Sequence, residues 1–336
     1  MKRISDTDIP VMRSLLAEEG VHEQMLLREN VDLRLQTTMR VGGPARLFAE
    51  PENEDQAVAL LRAAKSLGVP YIVIGNGSNI VVADSGAEAL IIRLADRFSE
   101  ITEVKRRDLP SEPSDKDGNP IPDEPERICY RVQAGALLSS VAVRAAKAGG
   151  AGMEFAGGIP GSIGGAVYMN AGAYGSEMSD ILVFARSVDP DGTLRDYRVD
   201  EMELGYRSSR FSRKGGVLLS VYLLLGRDKP EAILARMSEL NGKRASCQPL
   251  NMPSCGSAFK RPPGHYAGAL IEQSGLKGFS IGGAQVSTKH AGFIVNTGNA
   301  TAEDIRQLSA HIIGTVLEKT GVMLEPEICF IGFDKE

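Results

Sequence analysis

Apolar positions along the chain alternate between helical and strand spacing, which indicates a mixed α+β fold. The clearest stripe with helical spacing comprises Ala57, Leu60, Leu61, Ala64 and Leu67. Asn53 in front of this stripe, with Gln56 three residues on, is a helix start signal, and Gly68 behind it is a stop signal. Strands are predicted on either side, at 46–50 and 70–74. We therefore predict a βαβ unit whose loop, 75–79, follows the carboxyl end of a strand.

The same patterns predict the remaining elements. Residues 1–30 are predicted to be an amphipathic helical lead-in from the spacing of Ile9, Met12, Leu15 and Leu16. Further strands are predicted at 128–134, 183–188, 194–199, 217–225, 282–286, 292–295 and 325–332. Further helices are predicted at 137–145, at 231–243 and from Thr301 to the stop signal Gly321. The apolar face of the last helix comprises Ile305, Leu308, Ile312, Val316 and Leu317.

Residues 105–127 interrupt these patterns, because the segment is rich in Pro and charged residues and has no apolar period. Such a composition does not build a packed core, so we predict an exposed hairpin or loop excursion with high mobility. Since loop length has little effect on free energy, replacing the segment with a short turn should lower the melting temperature by only a few degrees.

Composition and charge exclude several functional classes. The chain has 336 residues, 43% hydrophobic and 24% charged, which is typical of a soluble globular protein of two to three domains. A net charge of -5 indicates no basic face for nucleic acid. Its four cysteines and four histidines are scattered, so we predict neither a metal site nor a disulfide framework. The start has no secretion signal and the most apolar run, 217–225, is too short to span a membrane, which predicts a cytoplasmic protein.

The segment 149–175, GGAGMEFAGGIPGSIGGAVYMNAGAYG, is the most informative part of the chain. It is dominated by Gly and Ala, yet it carries buried-type residues such as Met153 and Phe155, whereas flexible linkers are rich in Ser and Pro. Bare backbone N–H groups can approach a ligand closely, as they do around phosphates. We therefore favour a cradle for a large phosphate-bearing cofactor over a structural turn or a linker.

Two shorter motifs are candidate partners of this cradle. GNGSN at 75–79 begins like GxGxxG, but Ile80 takes the place of the third glycine, so the indication of a Rossmann fold is weak. The motif is either a tight turn or a second backbone nest for a diphosphate, together with 157–165. TTMRVGGPA at 37–45 places hydroxyl groups beside a glycine pair, and alone it would be an ordinary turn. The chain has no GxxxxGK[ST] motif, which argues against a P-loop kinase or GTPase.

Three polar positions are candidates for chemistry. Ser257 follows a glycine and precedes two cations, which favour proton transfer from a hydroxyl; the alternative is an ordinary polar loop, and the pattern is not GxSxG. Arg207, in GYRSSRF, is either an anion clamp or part of a surface loop. Glu327 lies on a predicted apolar strand, where a carboxylate is either at an exposed edge or functional.

Together these segments resemble the bacterial UDP-N-acetylenolpyruvoylglucosamine reductases, also called UDP-N-acetylmuramate dehydrogenases. The resemblance runs from about residue 37 to 332 through TTMRVGGPA, GNGSN, GMEFAGGIPGSIGGAVYMNAGAYG, GYRSSRF, CGSAFKRP, GLKGFSIGGAQVS, HAGFIVN and LEPEICFIG. The ordered set is specific, although no single member is. Residues 105–127 are longer and more charged than the usual connection in this family. The short interval between Leu225 and Gly256 is similar to the shorter subclass, which lacks an extra substrate-covering loop.

The resemblance implies a two-lobed FAD-binding fold of the vanillyl-alcohol oxidase (PCMH) type plus a C-terminal α+β substrate-binding domain. It implies a first lobe at 1–83 with the strand 324–332 returning near it, a second lobe at 84–226, and the substrate domain at 227–323. It also implies that NADPH reduces a noncovalently bound FAD. The reduced flavin then passes a hydride to UDP-N-acetylglucosamine enolpyruvate, which gives UDP-N-acetylmuramate for peptidoglycan in cell wall synthesis.

The resemblance further implies roles for individual residues. Ser257 is the implied proton donor to the substrate α-carbon, and Arg207 and Glu327 are implied to stabilise the enolate. The implied cofactor contacts are Arg40, Gly42, Gly75, Asn76, Gly77, Ser78, Asn79, Gly157, Gly158, Ile159, Pro160, Gly161, Ser162, Gly164, Gly165, Ala166, Asn170, Gly172, Ala173 and Tyr174. The implied substrate contacts are Tyr206, Lys243, Arg244, Lys260, Arg261, Lys277 and His290. No metal is implied.

Two other functions remain as alternatives. The first is another FAD-dependent oxidoreductase of the same superfamily, such as an oxidase of an alcohol or sugar. Many of those oxidases tether the flavin through histidine or cysteine, and the glycine-rich cradles here contain no histidine. The second is a nucleotide-sugar-binding protein without turnover, against which the presence of Ser257, Arg207 and Glu327 argues. We expect a monomer that binds the sugar nucleotide and NADPH, without a nucleic-acid partner and without membrane insertion.

Overall fold

The computed structural model describes residues 4–21, 27–123 and 127–333. The chain forms two compact units, each assembled from segments that are distant in sequence. The first unit comprises Met1–Leu27, Ala49–Asn76 and Ile92–Gly242. The second unit comprises Arg28–Phe48, Gly77–Ile91 and Lys243–Glu336. The domain boundaries that the resemblance implies stay a prediction.

The described elements mix helices and strands throughout the chain. The helices are α1 Asp8–Glu18, α2 Glu54–Leu67, α3 Leu138–Lys147, α4 Ile163–Tyr168, α5 Arg210–Lys214, α6 Pro230–Cys247, α7 Ala267–Gln273 and α8 Ala302–Thr320. The strands are β1 Leu27–Asp32, β2 Pro44–Ala49, β3 Tyr71–Ile74, β4 Ile80–Val82, β5 Ala87–Arg93, β6 Ile101–Val104, β7 Ile128–Gln133, β8 Gly150–Ala151, β9 Gly172–Ala173, β10 Ser176–Glu177, β11 Leu182–Val188, β12 Leu194–Arg198, β13 Val217–Arg227, β14 Ser254–Ser257, β15 Ser280–Ile281, β16 Ala284–Val286, β17 Phe293–Asn296 and β18 Cys329–Ile331. Within the described residues, no helix has the length and hydropathy needed to cross a bilayer.

The first unit is organised around an antiparallel sheet in the order β12-β11-β13-β7-β6, with β8 paired to the end of β13. Strand β13 lies at the centre of this sheet, and all its residues from 217 to 225 are buried. Helix α4 is attached to this sheet, since the Gly164 N–H donates to the Ala134 carbonyl just beyond β7 at 2.8 Å. The central part of the glycine-rich segment is therefore an ordered helix and not a linker.

The second unit contains the antiparallel sheet β14-β17-β16-β15, whose core is shared with α7 and α8. The carboxylate of Asp84, from a distant loop, accepts hydrogen bonds from the N–H groups of Ala302 and Glu303 at 2.9 and 3.0 Å. This carboxylate supplements the cap that Thr301 provides at the start of α8. In the same unit, β18 pairs in parallel with β4, with Cys329 opposite Ile80.

Several predicted helix boundaries are confirmed by the structure. Helix α2 begins after Asn53, whose side chain accepts a hydrogen bond from the Gln56 N–H, and it ends at Gly68 with a left-handed φ of 62°. Helix α8 begins after a complete capping box between Thr301 and Asp304. These signals succeed because a cap is a local interaction that the sequence spacing alone specifies.

Other element predictions are wrong. The lead-in at 1–30 is not one helix: α1 covers Asp8–Glu18 and β1 covers Leu27–Asp32, while residues 1–3 and 22–26 lie outside the described residues. Leu317 was assigned to the buried face of α8 but is 38% exposed. The last strand is confined to β18, and Pro326 upstream of it forms only an isolated antiparallel bridge with Phe259.

The segment 105–127 forms the predicted hairpin, closed by a bridge between Ser114 and Pro120. The prediction that the segment is exposed throughout is wrong for Leu109, which is buried in a cluster with Cys129, Phe184 and Tyr222. Burial of Leu109, with Ile121 packed against the same cluster, fixes the hairpin to the sheet of the first unit. Residues 124–126 of this segment lie outside the described residues.

Candidate active site

The loop after β3, GNGSN at 75–79, presents backbone donors suited to an anion. Within the described part of the chain, the N–H groups of Asn76, Gly77 and Ser78 donate to no protein acceptor. Gly77 has a φ of 64°, and a Cβ there would overlap the carbonyl oxygen of Gln36. Glycine is therefore required at 77 by the packing of the protein, and the resulting turn leaves three successive N–H groups for a ligand.

The glycine-rich segment contacts the start of this loop within the first unit. A Cβ on Gly75 would overlap Ser162 Oγ, so only glycine allows the two segments to approach. Ser162 is the N-cap of α4, and its Oγ accepts a hydrogen bond from the Gly165 N–H at 3.4 Å. Among described residues, the N–H groups of Gly161 and Ser162 donate to no protein acceptor. This close approach and these backbone donors fit a diphosphate-bearing cofactor such as FAD.

The TTMRVGGPA motif connects the second part of that loop to β14 in the second unit. Thr38 donates from its backbone N–H to the Gly77 carbonyl at 3.1 Å and from its hydroxyl to the Ser254 carbonyl at 2.7 Å. Arg40 and Gly42 both have positive φ values, of 58° and 116°. The motif therefore fixes local backbone geometry, and cofactor contact by Arg40 and Gly42 stays a prediction.

The other predicted cofactor residues differ in their surroundings. Asn170 is 1% exposed. Its amide donates to the Gly205 carbonyl and accepts from the Ser179 N–H. Tyr174 is exposed, and its hydroxyl donates to the Leu240 carbonyl at 3.2 Å. The remaining predicted contacts of this segment, namely Gly158, Ile159, Pro160, Gly164, Ala166, Gly172 and Ala173, lie between 158 and 173 in the first unit.

Arg207 occupies a tight two-residue turn in the first unit. Gly205 and Ser208 exchange two backbone hydrogen bonds, of 3.0 and 3.1 Å, across the turn. Arg207 has a φ of 51°, a backbone conformation that side-chain-bearing residues rarely adopt. Its guanidinium carbon lies 5.5 Å from the ring centroid of the exposed Tyr206. The turn thus presents a cation and an aromatic ring side by side.

Ser257 is presented by an irregularity in β14 of the second unit. Between Ser254 and Ser257 the register against β17 slips by one residue, and Gly256 has a φ of 74°. An extra residue with a left-handed glycine is a β-bulge, which redirects the side chains next to it. Cys255 and Ala258 are buried on either side, whereas Ser257 is exposed. The region predicted as a possible polar loop is therefore a bulged strand that turns its serine outward.

The backbone of Glu327 runs beside the residues that follow Ser257. The Glu327 N–H donates to the Ala258 carbonyl at 2.9 Å, and the Lys260 N–H donates to the Glu325 carbonyl at 2.9 Å. On the other side, the Asn79 amide donates to the Glu327 carbonyl at 3.0 Å. Both backbone groups of Glu327 are thereby held within the second unit. The structure thus brings two of the three predicted catalytic residues onto neighbouring segments of one unit.

The predicted substrate contacts in the second unit form local pairs. Lys260 forms an ion pair with Glu325, and Lys277 forms one with Glu272 at 2.8 Å. The Arg261 guanidinium lies over the exposed ring of Tyr266, 4.0 Å from its centroid. Two further predicted contacts lie at the end of α6, where Lys243 is exposed and Arg244 is buried.

His290 is held in one orientation by its own loop. Its Nδ1 accepts a hydrogen bond from the Gly292 N–H at 3.1 Å, and its ring packs edge-on against Phe293. Burial, with a smaller contribution from the nearby Lys277 cation, lowers the pKa of His290 below its usual value. The fold therefore favours the neutral imidazole at this position.

Comparison with known proteins matches two stretches of the chain to protein families. Residues 45–198 match an FAD binding domain family, and residues 248–331 match the family described as UDP-N-acetylenolpyruvoylglucosamine reductase, C-terminal domain. These matches confirm the predicted α+β fold class, an FAD-binding fold followed by a C-terminal domain of the reductases.

Whole-chain relatives agree with these domain matches. The chain is 43% identical to the UDP-N-acetylenolpyruvoylglucosamine reductase of Agathobacter rectalis over 313 residues, covering 92% of this chain and 95% of the relative. It is 41% identical to the enzyme of the same name from Clostridioides difficile over 323 residues, covering 96% of both chains. The crystal structure of the Thermus caldophilus reductase has a TM-score of 0.71 and 37% identity, covering 91% of this chain and 99% of that one. The chain therefore belongs to the UDP-N-acetylenolpyruvoylglucosamine reductase family of FAD-binding oxidoreductases.

Proposed function

We propose that the chain catalyses the NADPH-dependent reduction of UDP-N-acetylglucosamine enolpyruvate to UDP-N-acetylmuramate, a step of peptidoglycan synthesis in the cytoplasm. The observation that best supports this proposal is the backbone pairing between the residue after Ser257 and Glu327, at 2.9 Å in the second unit. It places a hydroxyl donor and a carboxyl group on adjacent segments, as a reaction with proton transfer requires. The family membership supports the same substrate.

The chemistry that bound FAD would supply is transfer of a hydride, taken from NADPH, to the vinyl β-carbon of the enolpyruvyl group. We propose that backbone N–H groups of 75–79 and 157–165 bind the FAD diphosphate noncovalently. Glycine at 75 is required for the close approach of these two segments at Ser162, which supports this role. Arg40, Gly42 and the other predicted contacts complete the proposed cofactor set.

Three side chains are proposed to act on the substrate. Hydride addition at the β-carbon drives negative charge toward the substrate carboxylate, so donors aimed at that charge contribute most to the rate. Arg207 supplies a fixed cation for this charge, and Glu327, when protonated, donates a hydrogen bond to it. Ser257 then delivers its hydroxyl proton to the α-carbon. The outward direction of Ser257, set by the bulge at Gly256, supports this role.

Charged and aromatic groups are proposed to bind the rest of the substrate. Lys243, Lys260, Arg261 and Lys277 provide cations for the sugar-nucleotide diphosphate, because ammonium and guanidinium groups are the usual phosphate partners. Tyr206 and His290 are proposed as further substrate contacts. The ion pairs of Lys260 and Lys277 hold these side chains near the protein surface before substrate binds.

The test separates the two halves of the reaction by stopped-flow absorbance of the flavin. NADPH should bleach the bound flavin, and the enolpyruvyl sugar nucleotide should restore its colour. Ser257→Ala should leave the NADPH step near wild type and slow reoxidation by at least about 10²-fold, the usual contribution of positioned proton transfer. Ser257→Cys should recover part of the rate, because a thiol is a stronger acid than a hydroxyl.

Ser254→Ala, on the same strand, is the matched control and should leave both steps unchanged. Reoxidation of Ser257→Ala at the wild-type rate would exclude Ser257 as the proton donor. A flavin that an alcohol or sugar reduces, and that the enolpyruvyl sugar nucleotide does not reoxidise, would favour the alternative of another FAD-dependent oxidoreductase.

A further inference from the structure

The backbone of Arg207 is held in an unfavourable conformation by its neighbours. Its φ of 51° lies in the left-handed region, which side-chain-bearing residues adopt only when their surroundings impose it. Such outliers cluster at functional sites, where the strain fixes a group in advance. Side-chain hydrogen bonds on both sides of the turn restrain this conformation.

Asn170 makes the contact on the first side of the turn. Its Nδ2 donates to the Gly205 carbonyl at 3.3 Å, and its Oδ1 accepts from the Ser179 N–H at 3.0 Å. The side chain is 1% exposed, so both polar ends are buried and both are bonded. Asn170 itself has a φ of 45°, which asparagine tolerates better than most residues.

A second contact fixes the other side of the same turn. Ser209, the N-cap of α5, donates its hydroxyl proton to the Tyr168 carbonyl at 2.7 Å. Tyr168, the last residue of α4, and Asn170, two residues further on, therefore hold the chain both before and after Arg207. A released turn would relax toward ordinary φ values, and the guanidinium would then leave its fixed direction.

We infer that Asn170 is the positioning residue of Arg207, and this inference rests on the proposed role of Arg207 in stabilising the enolate. A buried asparagine is unfavourable compared with an apolar residue unless its bonds serve a purpose. Here the amide of Asn170 joins the glycine-rich segment to the turn by a hydrogen bond, and this bond restrains the backbone of Arg207. Preorganised donors contribute to catalysis because they need no rearrangement when charge develops.

Asn170→Asp tests this inference with nearly unchanged shape. The carboxylate keeps an oxygen for the Ser179 N–H but sets a second oxygen against the Gly205 carbonyl, so the donor is lost and the contact becomes repulsive. We expect reoxidation by the enolpyruvyl substrate, measured per bound flavin, to slow by at least 10-fold and by a larger factor than NADPH reduction in the same variant. Ser179→Ala is the matched control: it keeps the main-chain N–H and should leave both steps within twofold.

A double-mutant cycle separates positioning from a general structural role. In an Arg207→Ala background, Asn170→Asp should slow reoxidation by less than a further twofold, because the group that it positions is already gone. A full additional loss in that background would overturn the inference and leave the proposed function intact. If Arg207→Ala itself reoxidises at the wild-type rate, the proposed role of Arg207 fails, and this inference fails with it.

Hydrogen exchange tests the inference even in variants that lose flavin, because it does not require turnover. Asn170→Gly suits the positive φ and removes only the amide, so its backbone should remain intact. Hydrogen exchange of the peptide that contains Gly205 and Ser208 should accelerate by at least 10-fold in this variant, since their mutual bonds are released. Unchanged exchange in Asn170→Gly would show that the turn holds itself, and it would refute the inference.

Discussion

Substitution of Gly256 by alanine tests whether the bulge aims Ser257. Gly256 has a φ of 74°, and a Cβ there would have no heavy atom within 4 Å. The only cost is therefore backbone strain, about 1–2 kcal/mol for a residue with a side chain in the left-handed region. The protein relieves this strain by flattening the bulge, which turns Ser257 away from its outward direction. A shift of about 1–2 kcal/mol lowers the ratio of the bulged to the flattened backbone by a factor of roughly 5–30.

The assay compares this variant with Gly321→Ala. Gly321 caps α8 with a φ of 73° and likewise has no heavy atom within 4 Å of an added Cβ. Both variants should lose about 1–2 kcal/mol of unfolding free energy in urea. Only Gly256→Ala should slow flavin reoxidation, by up to about 30-fold, with NADPH reduction unchanged. Equal reoxidation rates in the two variants would refute the link between the bulge and Ser257.

Three further predictions follow from packing and charge. Gly164→Val should lose most of its flavin after gel filtration, because an added Cβ would lie 2.7 Å from that of Ala134. The control Gly242→Ala, where an added Cβ has no heavy atom within 4 Å, should retain its flavin, and equal retention in both variants would contradict the cradle assignment. Leu109→Ala should lower the free energy of unfolding by about 2 kcal/mol in urea, because it removes a buried side chain from the cluster with Phe184 and Tyr222. An unchanged urea midpoint would show that burial of Leu109 does not stabilise the fold. The lowered pKa of His290 means that the unfolded chain binds its proton more readily, so stability should fall as pH drops below about 6.5. His290→Asn should flatten this dependence in urea titrations at about pH 7.5 and 5.5, and an unaltered slope would exclude His290 as its source.

Local signals in the sequence predict the elements that are defined by local interactions. The caps of α2 and α8 and the buried strand β13 were all predicted, because each depends on residues within a few positions. Strand β1 was not predicted: LRENVD shows no clear alternation, and only its first residue is buried. Its strand conformation is imposed by a neighbouring strand that no short window contains.

The candidate site was predicted as a set of residues but not as a structure. Motifs predicted Ser257 and Glu327, yet the bulge at Gly256 and the clamp of Asn79 on the Glu327 carbonyl depend on pairings between distant segments. Asn170 was predicted only as a cofactor contact, because its bond to the Gly205 carbonyl joins residues 35 positions apart. Glu327 is not part of a continuous strand, because it lies between the isolated bridge of Pro326 with Phe259 and the separate strand β18.

The bond between Asn79 and Glu327 has a consequence for the order of folding. It joins residues 248 positions apart, and the β4–β18 ladder beside it closes the same large loop. Loop closure of this length is entropically unfavourable until nearby contacts compensate for it, and folds that depend on such distant pairings form slowly. During refolding from denaturant, helical circular dichroism should therefore recover before the Glu327 segment docks. Catalytic competence would be among the last properties that a newly made chain acquires.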